Sequence, residues 1–189
     1  MAKIGLRVSY WDSCIALAWL NNSGRELEKH GQDALDAIDE QVTKFDKGSL
    51  HIASSVLLLP EVLESDMLLG NKQKFQELFE HPNFHLIDTN KRIAAIAHDL
   101  RDYYRPEKDG LDRLSVPDAI HLATAIWFQC NEFYTFDGTS HKPHPRKRKI
   151  LPLSGVLAEK YMIKIEIPKM VQPALFSPSA GIPQESTEV

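Results

Sequence analysis

Short runs rich in β-branched and aromatic residues alternate with longer segments of helical periodicity along most of the chain, and nothing else in the sequence limits the fold so strongly. Residues 7–11 form the first extended run, and a helical segment follows it to about Asn21. Residues 31–47 place Ala34, Leu35, Ile38, Val42 and Phe45 on one helical face, and Gly48 ends that helix. Residues 50–53 read as a buried strand, with Ser54 and Ser55 as caps for a helix through Glu61 that Pro60 starts or kinks. A helix over 71–80, a strand over 84–88 and a helix over 90–104 come next, the last with Ile93, Ile96, Ala97, Leu100 and Tyr104 on one face. Residues 105–113 read as a loop. Ser115 and Pro117 then mark the start of a helix to about Gln129. Strands are expected over 132–136 and 161–167. Such alternation implies an α/β fold with a mostly parallel sheet.

In a sheet of that kind ligands bind beyond the carboxyl ends of the strands. Asp12 directly follows the first strand and Asp137 directly follows the 132–136 strand. Asp118 stands in the first turn of its helix, and Glu61 lies on the helix after the second strand. Each has an ordinary use as well. Asp12 suits a helix N-cap, Asp118 suits the positive end of a helix dipole, and Asp137 before Gly138 suits a turn. Glu64, one turn beyond Glu61, competes for its role. Converging carboxylates repel one another unless something positive lies between them. A divalent cation resolves that conflict, and oxygen ligands suit Mg²⁺ or Mn²⁺. Phosphodiester hydrolysis is the chemistry such a cluster serves best.

The 189 residues, 43% of them hydrophobic, fit one compact domain over 1–167 with a Pro- and Ser-rich tail over 168–189 that is expected to be flexible. A net charge of -4 argues against a broadly basic, nucleic-acid-coating surface but leaves room for a local positive stripe. Residues 141–149 offer one, with Lys142, Arg146, Lys147, Arg148 and Lys149 directly after Asp137. Its plain reading is a solvated loop; its functional reading is binding to an RNA backbone. Five phosphates engaged there would give a log–log salt slope of about -3.5 on a single strand. Cys14 and Cys130 sit in apolar segments and read as free thiols of a reducing compartment, too few for a paired-cysteine zinc site. Lys3 and Arg7 ahead of the apolar residues 14–20 loosely imitate a secretory signal, but Asp12 interrupts it and no run reaches membrane-spanning length. A cytoplasmic protein with no membrane segment is expected.

Other enzymes and signalling domains place an aspartate after the first strand. A phosphatase with an aspartyl nucleophile wants a second aspartate two residues on, where this chain has Cys14. A receiver-like domain wants a lysine after a late strand, which residues 135–138 do not supply.

Residues 10–13, Glu61, the run Pro117 to Ala125, and Thr135 to Asp137 occur in the order seen in PIN-domain nucleases. The chain most resembles the branch that contains the toxins of VapBC-type toxin–antitoxin pairs, over roughly residues 7–167. That resemblance implies a three-layer α/β/α sandwich and Mg²⁺- or Mn²⁺-dependent endoribonuclease activity. It implies Asp12, Glu61, Asp118 and Asp137 as the catalytic carboxylates, with Asp12, Asp118 and Asp137 on the metal. It implies Ser13 and Thr135 as supporting hydrogen-bond groups, beside which Glu64 and His121 stand as supplementary candidates. It also implies an RNA substrate, an antitoxin partner and a homodimer. A non-toxin nuclease acting in RNA processing or on DNA, or a non-catalytic binding module of the same fold, are the alternatives.

Overall fold

The computed structural model describes residues 7–21, 30–63, 69–139 and 146–170; Glu64, Lys142 and residues 171–189 of the expected tail lie outside the described residues. The elements run β1 (Val8–Trp11), α1 (Ser13–Asn21), α2 (Gln32–Asp46), β2 (His51–Ser55), α3 (Leu58–Leu63), α4 (Leu69–Glu80) and β3 (Phe84–Ile87). Then come α5 (Lys91–Tyr103), α6 (Pro106–Asp109), α7 (Val116–Phe128), β4 (Glu132–Tyr134), β5 (Gly155–Leu157) and β6 (Tyr161–Glu166). One six-stranded sheet has the order β3-β2-β1-β4-β6-β5, parallel throughout except for the antiparallel β5–β6 pair.

Both faces of the sheet are covered. Tyr10 and Trp11 are neighbours in β1 and both are buried, but successive strand residues point to opposite faces. Trp11 joins Ile15 and Leu20 of α1, Leu35, Ile38 and Phe45 of α2, and Phe75 and Leu78 of α4. Tyr10 joins Ile93 and Leu100 of α5, Ala119 and Leu122 of α7, and Phe133, Ile163 and Ile165 of the sheet. The result is an α/β/α sandwich, the fold class expected.

The helix starts follow side-chain chemistry. Asn90 Oδ1 accepts the backbone N–H groups of Arg92 and Ile93 at the head of α5. Ser115 Oγ accepts the N–H of Asp118 at 3.1 Å, and Pro117 occupies the first turn of α7, where its missing N–H costs nothing. Ser54 and Ser55 differ from expectation: both remain in β2, and α3 starts only at Leu58. Ser54 Oγ donates to the Trp11 carbonyl and the Ser55 N–H donates to the Tyr10 phenol, so neighbouring-strand contacts hold them in the strand. Residues 106–109 form a helical turn closed by Gly110, not a plain loop. The sequence also gave no warning of β5, whose three residues include only one that is buried. Among the described residues no helix is long and apolar enough to cross a membrane.

Strand order locates the functional edge. From β1 the chain steps outward through β2 to β3, then returns to the other side of β1 with β4. The connections therefore diverge between β1 and β4, and a crevice opens beyond their carboxyl ends. Asp12 follows β1 and Thr135 to Asp137 follow β4 at that crevice, tied together by the Asp12 N–H donating to the Tyr134 carbonyl at 3.2 Å.

Candidate functional site

Asp12 is 7% exposed, and its carboxylate is fixed from two sides. Its Oδ1 accepts the Ser13 N–H at 2.9 Å, and its Oδ2 accepts the Thr135 hydroxyl at 2.7 Å. Its carbonyl also accepts from Ile15 and Ala16, so the N-cap use and the site use coexist. The Cys14 thiol donates to Asp12 Oδ2 at 3.4 Å and accepts the Phe136 N–H at 3.2 Å. Burial, joined by the Asp12 charge, pushes the Cys14 pKa well up, so the thiol keeps its proton for that bond. Thr135 is fully buried and links two strand ends: its oxygen donates to Asp12 and accepts the Asp137 N–H at 3.0 Å.

Glu61 and His121 meet across the crevice. His121 Nε2 lies 2.9 Å from Glu61 Oε2, and His121 Nδ1 lies 2.7 Å from the Tyr10 hydroxyl. Burial alone would lower the imidazole pKa. The hydrogen bond to Glu61 and the charges of Asp12, Glu61 and Asp118 outweigh it, and the net shift is upward. Burial likewise acts to raise the Glu61 pKa, but the bond and charge of His121 and a hydrogen bond from Ser13 leave it lowered. The pair thus favours imidazolium and carboxylate. Tyr10 is completely buried, stacked on Phe133 with ring centroids 4.9 Å apart, and its oxygen accepts the Ser55 N–H at 2.9 Å. Both nitrogens of His121 are therefore occupied.

Asp118 lies half-buried at the head of α7. Burial pushes its pKa up, the Ser115 hydrogen bond opposes this, and the charges of Asp12 and Asp137 reinforce it against the pull of Lys147. Its Oδ2 is buried with no hydrogen-bond partner among the described residues. A buried acceptor left unpaired costs about 1–3 kcal/mol, and more when charged, so this oxygen marks a place for a positive group.

Asp12, Glu61 and His121 offer ligand atoms within 4.8 Å of one another, a set that could hold a metal ion. With both imidazole nitrogens engaged, His121 serves that set by holding Glu61. The oxygens of Asp12 and Glu61 are hard donors of the kind that suits Mg²⁺ or Mn²⁺. Asp118 and Asp137 stand outside the tight group yet close enough to act electrostatically on the site. Asp137 differs from the others. Its Oδ1 accepts from Lys149 Nζ at 3.1 Å and lies 3.8 Å from Lys147 Nζ, and its Oδ2 accepts the Ile150 N–H at 3.3 Å.

The basic run divides in two. Arg148, expected to face RNA, is 4% exposed. Its guanidinium forms a bidentate pair with Asp109 at 2.7 and 2.8 Å, donates to the Asp112 carbonyl and lies 4.9 Å from the Tyr104 ring centroid. With its donors taken by protein, Arg148 is an anchor for the loop, and that expectation is corrected. Arg146 and Lys147 are exposed, and Lys149 is partly so. Lys142 and Glu64 lie outside the described residues. Sequence reasoning missed Tyr10, Cys14 and the lysine pairing of Asp137. Only Tyr10 had a signal: two residues before Asp12 in a strand, it had to point inward at the same edge.

No family model and no curated protein matches the sequence. The folded chain is similar to chains in solved structures of toxin–antitoxin complexes. Against VapBC2 from Rickettsia felis, solved bound to a DNA fragment from its promoter, the TM-score is 0.49 at 19% identity, over 74% of this chain and 95% of that chain. Against a toxin–antitoxin complex from Klebsiella pneumoniae it is 0.40 at 25% identity, with the same coverage of 74% and 95%. Likeness at that level leaves the chemistry to be read from the side chains themselves.

Proposed function

We propose that this chain is a metal-dependent endoribonuclease that hydrolyses RNA phosphodiester bonds at the β1/β4 crevice. One observation carries the reading: the converging carboxylates of Asp12 and Glu61, with the Asp118 carboxylate, whose buried Oδ2 has no partner among the described residues, acting on Asp12 from outside that group. Three acids so placed are unfavourable without a cation, and among the described residues the positive groups acting on them are His121, committed to Glu61, and Lys147 at the margin.

Asp12, Glu61 and Asp118 would hold the ion. A bound Mg²⁺ or Mn²⁺ supplies a lowered water pKa and neutralises charge that develops on the phosphodiester. The residues themselves do the positioning. Thr135 and the Ser13 N–H fix the two oxygens of Asp12. His121, held by Tyr10, keeps Glu61 ionised and oriented. Arg146, Lys147 and Lys149 give the crevice a positive margin on the β4 side, suited to a polyanion. The motif resemblance over residues 117–125 supports a toxin role, with an antitoxin protein as partner and a homodimer as the assembled state.

Purified protein incubated with a defined RNA set and its DNA counterparts, with Mg²⁺, Mn²⁺ or EDTA, tests the proposal. RNA cleavage that needs the ion supports it. Cleavage of DNA alone, or cleavage that persists in EDTA, overturns it.

A further inference from the structure

The segment after Asp137 is built as an alternating strip. Arg148 and Ile150 are buried, at 4% and 0% exposure, while Lys147 and Lys149 between and before them turn to Asp137. The backbone is fixed at both ends of the strip. The Arg146 carbonyl accepts the Asp112 N–H at 2.8 Å, and the Ile150 and Leu151 N–H groups donate to the Asp137 side chain and carbonyl. Gly138 packs so closely that a Cβ there would meet Leu151 Cβ at 2.9 Å. The Arg148 guanidinium is clamped by Asp109, Asp112 and Tyr104. Two flexible lysines are thus presented from a backbone that has little freedom left.

Asp137 is flanked by two cations. One carboxylate faces two ammonium groups, and both of its oxygens already accept hydrogen bonds. Asp118, by contrast, has a buried oxygen with no hydrogen-bond partner among the described residues. We propose that Asp137 is not a metal ligand in this chain but the holder of a phosphate-binding lysine pair, Lys147 and Lys149. The ligand class is the phosphodiester backbone of single-stranded RNA, laid beside the Asp12–Glu61–Asp118 cluster. Arg148 is the positioning residue that aims the pair. The inference rests on the nuclease reading for its substrate, and it departs from the metal role that the motif resemblance implies for Asp137. A phosphate bound there gains charge-assisted hydrogen bonds from two lysines whose flexible stems let them turn from Asp137 to the ligand.

Two measurements on the intact protein test this. In the first, Mn²⁺ alone is titrated calorimetrically into wild type, D137N, D12N and D118N. D137N is expected to bind within about twofold of wild type; a loss of tenfold or more would show that Lys149 stands where the ion belongs, and would overturn the proposal. In the second, a labelled single-stranded oligoribonucleotide is bound in EDTA over a range of salt. Two phosphates fewer should flatten the log–log salt slope of K147Q/K149Q by about 1.4, which is about 25-fold weaker binding at 0.1 M salt. An unchanged slope also overturns the proposal, and these substitutions at exposed or partly exposed lysines leave the fold intact even if D137N does not fold. The nuclease reading fails separately, if D12N and D118N bind Mn²⁺ as wild type does; the metal-free RNA titration still reports on the lysines in that case.

Discussion

Replacing Tyr10 by Phe removes one oxygen atom from the interior and nothing else. The ring keeps its stack on Phe133 and its burial, so the hydrophobic contribution is unchanged. Two partners lose their bond: the N–H of Ser55, a fully buried residue, and Nδ1 of His121, a residue 1% exposed. Each unsatisfied buried group costs about 1–3 kcal/mol, so the variant should lose about 2–6 kcal/mol. That is a large share of a typical domain stability of about 5–15 kcal/mol. Urea unfolding measures it directly: the midpoint should fall with the slope unchanged. Tyr103 is the control, because its hydroxyl bonds Glu159 at the surface, and its Phe variant should unfold close to wild type. The Tyr10 variant should also bind Mn²⁺ more weakly, since His121 loses the contact that fixes its ring behind Glu61. A Tyr10→Phe midpoint indistinguishable from wild type would refute the reasoning, for the network would then hold nothing.

His121 should titrate above the ordinary imidazole value in a side-chain NMR experiment, and Glu61→Gln should carry it below, since burial then acts against a weaker partner. The raised imidazole stabilises the fold fully below its unfolded value and loses that effect as pH rises through the folded one. The lowered Glu61 stabilises above its unfolded value and loses the effect as pH falls, so the pair contributes most between about pH 4.3 and 6.5. Removing either partner should lower the urea stability within that window and weaken its decline on either side, and an unaltered profile would contradict the pairing. Gly138→Ala should destabilise by about 1–3 kcal/mol, because φ is +129° and the new Cβ would press on Leu151 at 2.9 Å; a thermal melt equal to wild type would show the loop to be slack. Mn²⁺ at 100 times its Kd should stabilise wild type by about 2.7 kcal/mol, read as a rise in melting temperature, and Asp118→Asn should lose most of it.

The parallel α/β architecture was legible because strands and helices differ in period and because the caps at Asn90 and Ser115 are local chemistry. Asp12 and Asp137 were legible as strand-end carboxylates from the same reasoning. What the sequence could not tell is where a side chain spends its charge. Arg148 and Lys149 are neighbours in one basic run, yet one is buried against Asp109 and the other reaches Asp137. That difference arises from contacts 39 and 12 residues away in the chain. Similarly, His121 looked like a supplementary group because its two partners, Tyr10 and Glu61, lie 111 and 60 residues off. Ser54 and Ser55 show the reverse case, where sound capping chemistry lost to bonds with the neighbouring strand.

The central claim is that Asp12 and Asp118 hold a divalent ion that this protein needs to cut RNA. Cleavage of a defined RNA in Mg²⁺ or Mn²⁺ by wild type, Asp12→Asn and Asp118→Asn, each shown to be folded by circular dichroism, tests it most directly. The account predicts ion-dependent cleavage by wild type and none by either variant. Full activity in both folded variants would contradict it.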